Sequence, residues 1–174
     1  EPFIHVVDQS AGDCSIALGL AGPSCFQQML REALRDHPDC TVVVKVHPDV
    51  IRGRARGHFR RRHLQHPRIH LCADGLHPAA LLEQARAVYV VTSQMGFEAL
   101  LWGKPVHCFG MPFYAGWGLT RDRLQAPARR RAGIALEALV HAALVEGTRC
   151  VDPHRHRRCS IEELMQAIGL QRQL

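Results

Sequence analysis

Residues 87–102 read AVYVVTSQMGFEALLW, and this stretch decides the fold. Residues 87–91 are a short apolar, β-branched run without helical spacing, which reads as a buried strand. Thr92-Ser93-Gln94 is polar, and from Gly96 to Trp102 the apolar positions return at the spacing of a short helix. A buried strand that passes through a polar, glycine-containing turn into a helix is the repeating unit of a parallel α/β sheet. Upstream, 78–86 reads as a helix with Leu81, Leu82 and Ala85 inward, and 68–72 as a short strand. Residues 41–46 are apolar almost throughout, as in a strand covered on both faces. Pro23 and Ser24 open a helix with Phe26, Met29, Leu30 and Leu34 on one side, ended by His37-Pro38-Asp39, and 3–8 is the first strand. Downstream, 105–109 is the fifth. The alternation predicts an α/β fold, a Rossmann-like open parallel sheet with helices on both faces.

After Gly110 the pattern changes. Residues 112–122 form a glycine- and aromatic-rich loop, Arg129, Arg130 and Arg131 a basic run, and 136–145 a helix; Ser160 and Glu163 make a capping box for a last helix ending near Leu170. The expected division is a Rossmann-like domain over 1–125, which the resemblance given below implies to be nucleotide-sugar-binding, and a C-terminal helical extension of the same domain over 126–174.

Composition narrows the class without choosing a function. The chain has 174 residues, 47% hydrophobic and 22% charged, which excludes wholesale disorder and collagen-like or coiled-coil chains. Formal net charge is +6. Lys45 and Lys104 are its only lysines, so the positive charge is almost all arginine. No apolar run approaches the roughly 20 residues of a membrane span. The first residue is Glu1 and 3–8 is already a strand, so the expectation is a piece of a longer chain with no signal peptide. Seven cysteines without CxxC spacing are expected to be buried, reduced thiols of a cytosolic protein.

In an open parallel sheet, ligands bind at the carboxyl ends of the strands. The residues there are Asp8-Gln9-Ser10 with Gly12-Asp13, then His47-Pro48-Asp49, then residues 92–98, then residues 110–118. Polar, glycine-containing loops at all four places suit a nucleotide-sized ligand. His-Pro occurs at 37–38, 47–48, 66–67 and 77–78, but only His47-Pro48 follows an apolar strand, with Lys45 one pleat earlier. An imidazole there would meet a phosphate. The Ser93 hydroxyl and the backbone N–H groups of the following helix start suit an anion, with Glu98 placed for ribose hydroxyls; the alternative is a capping Ser93 and a Glu98 that serves the helix dipole. Asp13 sits between Gly12 and Cys14 with no recognisable capping frame, so it reads either as a loop nucleophile or base or as a solvated turn aspartate. His154, His156 and Cys159 lack a second ligand pair, so no metal site is expected. The arginines between 52 and 62 come with no nucleic-acid-binding motif, so nucleic acid is not expected as a partner.

Residues 7–13, 44–50, 91–100 and 110–120 resemble the bacterial capsule polysaccharide biosynthesis family, in particular its KpsC-type retaining β-Kdo transferases. Arg129 to Arg131, Val151-Asp152-Pro153 and Cys159-Ser160 follow the same pattern. Ser10 stands where threonine is expected, and Cys150 where an aromatic is expected. The resemblance implies the C-terminal, donor-binding half of a GT-B type glycosyltransferase whose N-terminal acceptor half is missing from this chain. It implies CMP-Kdo as donor and no cofactor or metal. Asp13 would be the nucleophile and His47 would work on the CMP phosphate. Gln9, Lys45, Pro48, Ser93, Gln94, Gly96, Glu98, Tyr114 and Trp117 would bind the donor. A lipid-linked glycan acceptor, the missing half and the capsule-export machinery are the implied partners, at the cytoplasmic face of the inner membrane. A nucleotide-sugar epimerase, another sugar-nucleotide transferase or a non-catalytic export scaffold are the alternatives.

Overall fold

The computed structural model describes residues 2–46, 50, 52, 54, 56–72, 78–130 and 132–171. Strands β1 (Phe3–Val7), β2 (Thr41–Lys45), β3 (Ile69–Cys72), β4 (Ala85–Val90), β5 (Val106–Cys108) and β6 (Arg121–Asp122) form one sheet in the order β3-β2-β1-β4-β5-β6. Every pairing in it is parallel, with Phe3 opposite Thr41 and Val88 opposite Val106. The chain begins at the centre, builds to one edge, returns to the centre and builds to the other edge. This is the doubly wound order, and its reversal point lies between β1 and β4.

Between β1 and β2 lie α1 (Cys14–Leu18) and α2 (Pro23–Asp36). Pro23 opens α2 at a position where the missing N–H costs nothing. Its buried positions, Phe26, Met29, Leu30 and Ala33, recur every three or four residues and pack against Ile4, Val6, Val42, Val44, Ala87 and Tyr89. Each large apolar side chain fully buried there contributes about 1.5–3 kcal/mol. Leu34 is only half-buried, so Ala33 takes the inward place expected for it. The last turn of α2 is closed by a distant guanidinium. Arg68 donates to the carbonyls of Leu34 at 2.8 Å, His37 at 2.7 Å and Cys40 at 3.0 Å.

The strand positions of opposite parity, Val88 and Val90, are equally buried. There α3 (Pro78–Gln84) and α4 (Met95–Leu101) supply Leu81, Leu82, Phe97 and Leu100, and the helices pack with β1, β4 and β5. The α/β, Rossmann-like reading therefore holds, with helices on both faces. Ala85 opens β4 instead of closing α3. The strand β6 lies in the stretch read as loop, because two residues carry no periodicity.

The chain divides into two compact units, Glu1–Gly133 and Ile134–Leu174. The first runs past residue 125 because Arg130 donates to the carbonyls of Pro112 and Ala115 and lies over the Trp117 ring. The second unit is not purely helical. Its α5 (Leu136–Val140) gives way to a π-helical turn over His141–Glu146, where one continuous helix was expected. β7 (Cys150–Val151) and β8 (Arg158–Cys159) pair antiparallel, and α6 (Ile161–Gln171) follows. Its capping box is formed as read: Ser160 N–H donates to Glu163 and Glu163 N–H to the Ser160 hydroxyl. All seven cysteines are free thiols, but only Cys40 and Cys108 are buried, and Cys14 is exposed. No helix among the described residues is long and apolar enough to cross a membrane.

Candidate functional site

At the reversal point the loops after β1 and β4 diverge and leave a cleft of about 620 Å³. That size suits a small-molecule ligand. Its described lining includes Asp8, Gln9, Ser10 and Asp13 after β1, Lys45 at the end of β2, Thr92, Ser93 and Gln94 after β4, and Phe113.

Asp13 is the N-cap of α1, which corrects the sequence reading that found no capping frame there. Gly12 takes φ +90°, a conformation that favours glycine, and turns the chain so that Asp13 accepts from Ser15 N–H at 2.8 Å through Oδ1. The short helix carried no signal of its own, being only five residues long. The other carboxylate oxygen, Oδ2, lies 3.2 Å from the Gln9 side-chain nitrogen. Asp13 is thereby held at the rim with both oxygens oriented.

Gln9 is buried and serves as the hub that joins the two loops. Its Nε2 lies 3.0 Å from Thr92 Oγ1, 3.3 Å from Ser15 Oγ and 3.2 Å from Asp13 Oδ2, while its Oε1 accepts from Thr92 N–H at 3.0 Å. An amide carries two N–H donors, so these three acceptors compete and the carboxylate is the strongest of them. Thr92 can instead donate its hydroxyl to Gln9 Oε1 at 3.2 Å, or share it with Ser15 at 3.1 Å. Behind Thr92 the chain is packed so closely that a Cβ on Gly19 or Gly110 would lie 2.4 or 2.7 Å from its methyl group.

Lys45 lines the cleft at the end of β2. The Ser93 hydroxyl accepts from Met95 N–H at 3.3 Å, which leaves its own O–H able to donate, and the N-cap of α4 is Gln94 rather than Ser93. Gln94 is exposed in the cleft. Gly96 and Tyr114 belong behind the loop. Tyr114 is fully buried and donates its hydroxyl to the Ser93 carbonyl, which corrects its reading as a donor contact. A Cβ on Gly96 would lie 2.2 Å from that hydroxyl, so the glycine makes room for the tyrosine. Glu98 is half-buried in the first turn of α4 and does not line the cleft. Trp117 donates its indole N–H to the Phe113 carbonyl at 2.8 Å and packs under Arg130, also away from the cleft. His47 and Pro48 lie outside the described residues.

The structure therefore brings together Gln9, Asp13, Lys45, Ser93 and Gln94, and adds Asp8, Ser10, Ser15, Thr92, Met95 and Phe113. Asp8, Ser10 and Thr92 were legible as residues just past strand ends. Nothing in the sequence separated the exposed Phe113 from its buried neighbour Tyr114. No group of three or more metal-ligating side chains is present among the described residues.

Residues 1–149 match the family described as capsule polysaccharide biosynthesis protein. The chain is 42% identical over 156 residues to the capsule polysaccharide modification protein LipA of Neisseria meningitidis, covering 87% of this chain and 22% of LipA. Its fold superposes on a KpsC β-Kdo 2,4 transferase of Thermosulfurimonas dismutans with TM-score 0.88 and 38% identity, covering 95% of this chain and 51% of that one. A KpsC β-Kdo 2,7 transferase of the same organism gives TM-score 0.77 and 30% identity over 98% of this chain and 54% of that one. The chain thus spans about a fifth of the curated relative and about half of each transferase chain.

Proposed function

The chain belongs to the family of capsule polysaccharide biosynthesis proteins, and from that premise we propose that it is the donor-nucleotide half of a retaining β-Kdo transferase. In this reading CMP-Kdo is the donor and a lipid-linked glycan the acceptor. The remaining half of the enzyme lies elsewhere in the polypeptide and works with the capsule-export machinery at the inner membrane. The observation that carries the proposal is a carboxylate, Asp13, fixed by its own helix and by Gln9 at the rim of a nucleotide-sized cleft at the sheet's reversal point. The likeness to the two KpsC transferases supports it.

In this proposal the transfer runs in two steps. One Asp13 oxygen attacks the anomeric carbon, and the bond to the CMP phosphate breaks with its electron pair leaving on the phosphate. The acceptor hydroxyl, giving its proton to a base in the remaining half of the enzyme, then opens the glycosyl ester and frees Asp13. Two inversions give retention, as in carboxylate-based glycosidases. Negative charge grows on the departing CMP, so a cation beside it acts chiefly in the transition state; Lys45, and in this reading His47, supply that stabilisation. Asp13 Oδ1 accepts from Ser15 N–H and Oδ2 lies 3.2 Å from the Gln9 amide nitrogen, which orients the carboxylate.

The test uses the full-length protein with CMP-Kdo and a lipid-linked acceptor. Asp13→Asn should abolish transfer and leave CMP affinity within a few-fold, because a nucleophile acts on the sugar while the nucleotide carries most ground-state binding. Intact mass of the unmutated enzyme with donor alone should reveal a Kdo adduct on the peptide containing Asp13. An adduct on another residue, or near-normal turnover of Asp13→Asn, would overturn the assignment.

A further inference from the structure

Asp8 lines the cleft, is 5% exposed and has no part in the chemistry above. Its carboxylate faces chain rather than open space. It accepts from Gln9 N–H at 2.9 Å and from His58 N–H at 3.1 Å. Burial pushes the carboxyl pKa up, and backbone N–H groups of His58, Gln9 and Phe59 pull it back. The segment it touches is the arginine-rich connection between β2 and β3. Three further features hold residues 56–59 to the same place. The Arg56 carbonyl accepts from Ala11 N–H. The His58 ring stacks on Phe26 with centroids 3.8 Å apart and planes 4° apart. Phe59 packs against the core beneath α2. Gly57 is the point of closest approach, where a Cβ would lie 2.3 Å from Asp8 Oδ2.

We infer that Asp8 is a positioning residue, whose buried carboxylate against Gly57 latches residues 56–59 to the β1 loop that lines the cleft and so holds the arginine-rich connection toward the ligand's negative charges. The last part rests on the donor reading above; the latch itself does not. A carboxylate suits this task because one oxygen can accept from two backbone N–H groups at once, and its loss would leave those donors buried without a partner. The glycine suits it because any side chain would force the two strands of chain apart.

The latch can be read directly, since Arg56, Arg60, Arg61 and Arg62 are trypsin sites, with the exposed Arg155, Arg157 and Arg158 as an internal reference. Asp8→Ala and Gly57→Ala should each speed cleavage at 56 and 60–62 at least ten-fold and leave cleavage at 155–158 unchanged. Asp8→Asn, which keeps a carbonyl acceptor, should retain the unmutated protection. In a titration with CMP, the two releasing variants should bind at least five-fold more weakly than the unmutated chain. Unchanged cleavage at 56–62, or equal acceleration at both regions, would overturn the latch. Release without loss of CMP affinity would overturn its role toward the ligand. If the unmutated chain binds no CMP while the variants still release the segment selectively, the donor reading fails and the latch stands.

Discussion

Replacing Gly96 by alanine would ordinarily stabilise a helix, since glycine in a helix costs about 0.5–1 kcal/mol relative to alanine. Gly96 is the second residue of α4 and has no unusual backbone angle, so propensity alone predicts a gain. Its surroundings predict the reverse. The new Cβ would lie 2.2 Å from the Tyr114 hydroxyl, 2.7 Å from Cζ and 2.8 Å from Cε2. That ring is fully buried, with Phe113 edge-on at 5.2 Å and Phe97 at 6.3 Å, so it cannot step aside freely. Overpacking of this kind costs about 1–3 kcal/mol. Displacing the hydroxyl also weakens its bond to the Ser93 carbonyl, a further loss of about 0.5–1.5 kcal/mol. Gly96→Ala should therefore destabilise by about 1–3 kcal/mol net of the helix gain, a fall of very roughly 2–10 °C in Tm for a chain of this size. Tyr114→Phe removes the nearest atom, so the double variant should be less destabilised than the two single variants added together. Urea unfolding of all four proteins measures the coupling. A stabilised Gly96→Ala protein, or strict additivity, would refute the packing argument.

Other consequences concern stability and binding apart from the chemistry. Arg68→Met should cost about 2–4 kcal/mol by urea unfolding, because it strips a charged donor from three carbonyls at the end of α2 while keeping an apolar stem. His5 and His107 are both pulled down to about 4, chiefly by burial, so between pH 6.5 and 4 the unfolded chain binds more protons than the folded one. Stability is then full above pH 6.5 and falls with acid by up to about 2.7 kcal/mol per pH unit for the pair, and equal urea midpoints at pH 7 and pH 5 would contradict this. Calorimetry with CMP should find His47→Ala weakened by about 1.5–3 kcal/mol. His37→Ala should bind normally and lose stability instead, because the His37 ring is bonded to the Tyr89 hydroxyl at 3.1 Å.

The sheet was legible because its central strands β1, β2 and β4 are apolar runs rich in β-branched residues and separated by amphipathic helices, and both signals are local. The two-residue strands β6, β7 and β8 were not, since two residues carry no period. In the site, position at or past a strand end is what places Gln9, Asp13, Lys45 and Ser93 in the lining of one cleft. What it missed was direction. Tyr114 and Phe113 are adjacent aromatics of one loop, and only the tertiary packing turns one inward and leaves the other at the cleft. The capping role of Asp13 is not legible in sequence because its helix has only five residues, too few to show a face. Gly57 and Asp8 are distant in sequence, and no spacing rule links them.

The hydrogen bonds that run from Gln9 to Thr92, Ser15 and Asp13 have a consequence for how a ligand arrives. They sew the β1 and β4 loops into a single rigid seat, because moving either loop alone would strand a buried amide or hydroxyl. Entry into such a seat resembles a key meeting a finished lock. The cost of ordering these loops is met when the chain folds and leaves little to be lost at each encounter. Closing around a ligand is therefore not work for these two loops, whose shared hydrogen bonds fix them to each other.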